Sequence, residues 1–93
     1  MRMRDDPAGR VSDEDIRKLF GYRCVRCGEP NCRTIHEIIP RSLRPKDWFV
    51  LDNRVVLCGT CHDHIHHLGA VNFVEELTAC RERALGMFRG GGR

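Results

Sequence analysis

No stretch of this sequence approaches the ~18 apolar residues of a membrane span, and its opening, MRMRDDPAG, has no apolar segment of the kind that directs secretion. Together the two absences point to a cytoplasmic protein with no membrane partner. Aromatic side chains are scarce, with one tryptophan and one tyrosine, and at 93 residues the chain has room for one small domain with a thin margin of stability. A strong charge of either sign is missing too. The formal net charge of +3 permits nucleic acid as a partner without requiring it. Internal repeats are absent, and the only biased tract is the terminal RGGGR.

Cysteine is the exception to this sparseness, with six residues. A small core needs a staple, and in a reducing compartment cysteines with two residues between them are metal ligands rather than halves of disulfides. Cys24 and Cys27 form one such pair and Cys58 and Cys61 another. Two knuckles of this kind supply the four thiolates of a closed tetrahedral zinc site. The segment between them, residues 28–57, is longer than a simple zinc ribbon requires, so an inserted element must lie there. Cys32 and Cys80 fall outside the set, Cys80 on the apolar face of the last helix.

The segment VSDEDIRKLF carries a capping signature. Ser12 is placed to accept from the amide of Asp15, three acidic residues complement the helix dipole, and Val11 and Ile16 occupy staple positions. A helix is expected from Asp13 to Phe20, ended by Gly21. RTIHEII reads as a strand stopped by Pro40, RSLRPKDWFVLDN as a basic loop, and RVVLC as a second strand able to pair antiparallel with the first. A helix should follow from near Cys61 to Gly69, and another from Val71 to about Met87, with Asn72 as cap. Its apolar face would comprise Phe73, Leu77, Cys80, Ala84 and Phe88. Residues 1–11 and 89–93 are expected to be flexible.

Four thiolates complete a zinc shell, so the histidines of CHDHIHH need another explanation. On a helix beginning near Cys61, His62 and His66 are four residues apart and share a face, as two ligands of one metal would. His64 and His67 lie ~200° and ~140° round from His62. A third ligand is available if folding brings strand residue His36 to the helix.

The stretches CVRC, IHEIIPRS and LDNRVVLCGTCHDHIH, about residues 24 to 67, jointly resemble the HNH endonuclease family. The resemblance implies a small α+β fold in which a ββα-metal core surrounds one catalytic divalent ion, with a four-cysteine structural zinc and a flanking helix at each end. By position His36 matches the family's strand ligand, His62 and His66 its helix ligands, and Asn53 the asparagine that orders the loop through backbone hydrogen bonds. Where the family most often has a histidine general base, three residues before the proline, this chain has Glu37. A carboxylate is ionised at neutral pH but is a weaker proton acceptor than an imidazole. General base, additional metal ligand and remnant of a site that binds DNA without cutting it are the three roles open to Glu37.

The resemblance further implies metal-dependent hydrolysis of DNA phosphodiesters, with His36, Glu37, Asn53 and His62 in the catalytic set. Three imidazoles suit Mn2+, Ni2+, Co2+ or Zn2+, with Mg2+ also compatible. Arg41, Arg44, Lys46 and Arg54 would clamp DNA phosphates, while Trp48 and Phe49 either wedge at the groove edge or pack in the core. Small phage and bacterial members share the HE pair, which suggests a phage origin and a place beside the terminase of the packaging machinery. Two non-catalytic alternatives stand beside this reading: a zinc-stabilised nucleic-acid-binding module and a zinc domain that binds protein.

Overall fold

Ser12 starts the first helix as its chemistry dictates. Its Oγ accepts from the Asp15 amide at 3.1 Å, and α1 runs Asp13–Leu19 with Phe20 as its C-cap. Val11 and Ile16, the staple pair, are both buried. The computed structural model describes residues 11–88. The expectations for residues 1–10, for the tail 89–93 and for the side chain of Phe88 lie outside the described part. Val11, grouped with the flexible lead on sequence grounds, is instead fixed, because its side chain joins the core and its carbonyl accepts from Arg54.

The described residues form a small α+β structure: a two-stranded antiparallel sheet with three α-helices. Strand β1 is Thr34–Glu37 and β2 is Arg54–Leu57, in a register that sets His36 opposite Val55 and Glu37 opposite Arg54. β1 is shorter than RTIHEII suggested. Beyond Glu37 the amide of Ile38 still reaches the Asn53 carbonyl, at 2.8 Å, but the chain then turns into Pro40, which has no donor to extend the ladder.

β2 is the buried spine, with all four residues inaccessible. Around it pack Ile16 from α1 and Phe20 from its C-cap, Ile65 from helix α2 and Leu77 and Cys80 from helix α3. Helix α2 is Gly59–Leu68 and α3 is Val74–Phe88. Helix α2 starts earlier than expected because Cys58 acts as its N-cap, its sulfur accepting from the Cys61 amide at 3.3 Å. Helix α3 starts later, since Ala70–Phe73 is a 3-10 turn. Asn72 does not cap α3; its amide nitrogen donates to the Leu68 carbonyl at 3.0 Å and closes the end of α2. Among the described residues no helix is long and apolar enough to cross a membrane.

Candidate metal centres

Both ends of the hairpin meet α2, and each meeting gathers one kind of ligand. At the open ends of the strands, the Cys24–Cys27 turn and the Cys58–Cys61 turn approach each other. One sulfur from each of the four cysteines lies within 4.8 Å of all the others, so the group could hold one metal ion. Each turn bends its own amide onto its first sulfur: the Cys27 amide onto Cys24 at 3.4 Å, and Cys61 onto Cys58. Gly28 supports the first turn, with φ of +84° and its amide 2.8 Å from the Cys24 carbonyl. All six cysteines are free thiols.

The charge balance of this group fits a cation. Burial works against ionising Cys24, yet hydrogen bonds from the backbone at Cys58, Cys27 and Arg26 outweigh it and bring the thiol down to about 7. Cys61 goes the other way. Burial pushes it up to about 12 even though Arg26 donates to its sulfur, because neighbouring thiols disfavour a second charge. A divalent ion eases that conflict, because its two positive charges offset part of the negative charge of four thiolates gathered around it.

Arg26 was not singled out from the sequence, although a cation inside the CVRC turn was the available signal. Its Nε donates to Glu76 of α3 at 2.7 Å and its guanidinium lies over the Phe73 ring, so it joins the cysteine cluster to the last helix. The two remaining cysteines stay apart. Cys32 Sγ donates to the Glu29 carbonyl at 3.1 Å, and Cys80 is buried in the core, as its position on the helix suggested.

The second group lies where β1 faces α2. His36 comes from the strand and His62 and His66 from successive turns of the helix, and one nitrogen of each lies within 4.8 Å of the other two. Ring centroids stand 5.6 Å apart for His36 and His62, 5.7 Å for His36 and His66, and 4.3 Å for His62 and His66. His36 is buried, His62 half-buried and His66 exposed, so the group opens to solvent on one side. Ile35, Glu37, Pro40, Arg41 and Ala70 complete a pocket of about 140 Å³.

One atom tests whether these residues fit a metal. His36 Nε2 is buried and has no hydrogen-bond partner among the described residues, a costly state that a coordinate bond relieves. Burial, with the adjacent His62 and His66, lowers the His36 pKa from 6.5 to about 4, and burial lowers that of His62 as well. Near neutral pH His36 is therefore uncharged and keeps one ring nitrogen free of a proton, as ligation requires. His64 is exposed, near the Phe73 ring, and His67 is exposed; neither belongs to the group.

Asn53 is buried and pins the loop between the strands at both ends. Its Oδ1 accepts from the Ile39 amide at 2.7 Å, and its Nδ2 donates to the carbonyls of Ile39 and Trp48, each at 3.0 Å. Glu37 lines the pocket and forms a two-pronged pair with Arg41, at 3.1 and 3.2 Å.

The four expected phosphate clamps divide. Arg54 is not on the surface: it is buried, donating to the Val11 carbonyl and pairing with Asp13, which binds β2 to the start of α1. Arg44 pairs with Asp47 at 2.7 and 2.9 Å, Arg41 holds Glu37, and Lys46 is exposed. Trp48 and Phe49 are half-buried and meet edge to face.

No family model, no curated protein and no solved structure matches this chain.

Proposed function

We propose that the protein is a metal-dependent DNA endonuclease of the HNH class, hydrolysing phosphodiester bonds at the His36, His62 and His66 pocket, with a structural zinc at the four cysteines. The observation that carries this reading is the convergence of three imidazoles from a strand and a helix on one open pocket, around a buried His36 Nε2 that none of the described residues satisfies. The cysteine group is closed by four sulfurs, as a structural zinc site is. Three nitrogen ligands leave positions free for substrate, and they suit Mn2+, Ni2+, Co2+ or Zn2+, or Mg2+ where substrate oxygens complete the shell.

His36, His62 and His66 would hold a divalent ion, which would supply Lewis-acid chemistry for phosphodiester hydrolysis. Glu37, on the pocket wall, accepts a proton from the attacking water through a carboxylate oxygen. Asn53 holds the loop that carries Arg41 and Trp48, and so acts as a positioning residue. Lys46, Arg44 and Arg41 contact the DNA backbone, which sets position without reading sequence. A phage packaging complex is the setting we favour for this activity.

The test is cleavage of supercoiled plasmid across a series of divalent ions. Nicked or linear product that depends on the ion and vanishes in His62→Ala supports the reading. Intact plasmid with every ion overturns it. One observation favours a second reading, a zinc-stabilised module that binds nucleic acid without cutting: the residue in the base position is a carboxylate already tied to Arg41. Salt-dependent DNA binding with no cleavage would select that alternative.

A further inference from the structure

The pair between Glu37 and Arg41 sits at the mouth of the histidine pocket, and the two partners are unequally exposed. The Glu37 side chain keeps 22% of its surface accessible, whereas Arg41 keeps 61%. Arg41 is thus the outer partner and covers the inner carboxylate. Its guanidinium is planar and offers two different surfaces, an edge of N–H donors and a flat face. The edge is on Glu37, and the face lies over the Trp48 ring with 3.6 Å between Cζ and the ring centroid.

We propose that Arg41 is a phosphate-receiving gate: a substrate phosphate takes its N–H edge from Glu37 while its face stays on Trp48, and this exchange uncovers the carboxylate. The proposal rests on the phosphodiester reading of the pocket. Phosphate accepts the same two-pronged pattern as carboxylate, so the exchange needs no new donor geometry. Trp48 is the positioning residue, because an arginine held by its face keeps its place while its edge changes partner.

Asn53 ties the device together. It binds Ile39, two residues before Arg41, and also the carbonyl of Trp48 itself. One buried amide therefore fixes both the backbone that carries the guanidinium and the ring beneath it. Phe49 meets the Trp48 ring edge to face, centroids 5.4 Å apart, and further limits its movement.

The experiment measures binding of a short fluorescein-labelled duplex by anisotropy to protein loaded with one equivalent of zinc, which the four cysteines take first, so that the histidine pocket stays empty and no cleavage intervenes. Arg41→Ala should weaken binding about tenfold. Arg41→Lys keeps the charge but loses both the fork and the flat face, and should bind nearly as weakly as the alanine variant. Glu37→Gln should tighten binding about threefold by removing the competitor, and should do so only while Arg41 is present. The double variant separates competition from simple loss of negative charge. Trp48→Leu should weaken binding about threefold, and Trp48→Phe should restore most of that loss.

Equal tightening by Glu37→Gln in both backgrounds overturns the gate, as does wild-type affinity in Arg41→Lys. Equal affinity of the Leu and Phe variants overturns the positioning role of Trp48. The parent reading fails separately. If the Arg41 and Glu37 effects are coupled but no ion supports plasmid cleavage, hydrolysis falls and the phosphate gate stands. If plasmid is cut but the effects are uncoupled, the gate falls and the nuclease stands.

Discussion

The cysteine group and the histidine group share helix α2, and Cys61 and His62 are neighbours in the chain, yet the two groups are built differently. The cysteines come from two tight turns that bend their own amides onto their sulfurs, and four thiolates around one ion would leave no position open. The histidines come from a strand and a helix face, number three, and border a pocket with a carboxylate and a guanidinium on its wall. A small protein can thus place a closed and an open site side by side by letting one helix contribute its N-cap turn to the first and one of its faces to the second. Helical geometry makes the division, because successive residues point ~100° apart.

The sharpest way to break the comparison is to remove the closed site. Cys61→Ser, or treatment with a strong chelator, should abolish the cooperative thermal transition, because binding energies at structural zinc sites run to about 10 kcal/mol or more. Circular dichroism checks this. A transition unchanged by either treatment would mean that the cysteines are packing thiols.

The open site should respond differently. His62→Ala should lower plasmid cleavage more than ~100-fold, since losing a ligand costs more than losing a group that merely orients one. Its melting temperature should stay within a few degrees of the wild type. A matching collapse of stability would assign His62 to the fold rather than to chemistry.

Glu37→Gln comes next. General-base catalysis contributes ~10²–10⁴-fold, so the rate should fall by that order while metal content stays the same. Undiminished activity removes Glu37 from the base role, and lost metal would make it a ligand. The smallest effect belongs to Lys46→Ala: a few-fold weaker DNA binding and a salt slope reduced by about one. A change in sequence preference instead would contradict a backbone contact.

The parts of this arrangement visible in the sequence are those with local periodicity. Paired cysteines three apart, histidines four apart and a serine three residues before an acidic residue each state a geometry within about one turn of chain. Residues settled by distant partners were harder to place. Arg54 reads as a surface cation on a strand, but its partners Val11 and Asp13 lie more than forty positions earlier, and only tertiary packing shows that it is interior. Gly59 and Thr60 are weak helix formers, so the first turn of α2 was invisible until Cys58 proved to be its cap. Asn72 looked like the cap of the helix that follows it and serves the one before. The contact of Arg41 with Trp48 crosses a loop with no repeating pattern, which left the tryptophan unassigned between groove and core.

Counting metal ions on the intact protein by native mass spectrometry, in the presence of excess Zn2+ or Co2+, tests the division of labour most directly. Two ions per wild-type chain are expected, with one retained in a variant carrying His36→Ala and His62→Ala together. A single ion on the wild type, or two on the variant, would contradict a histidine site separate from the cysteines.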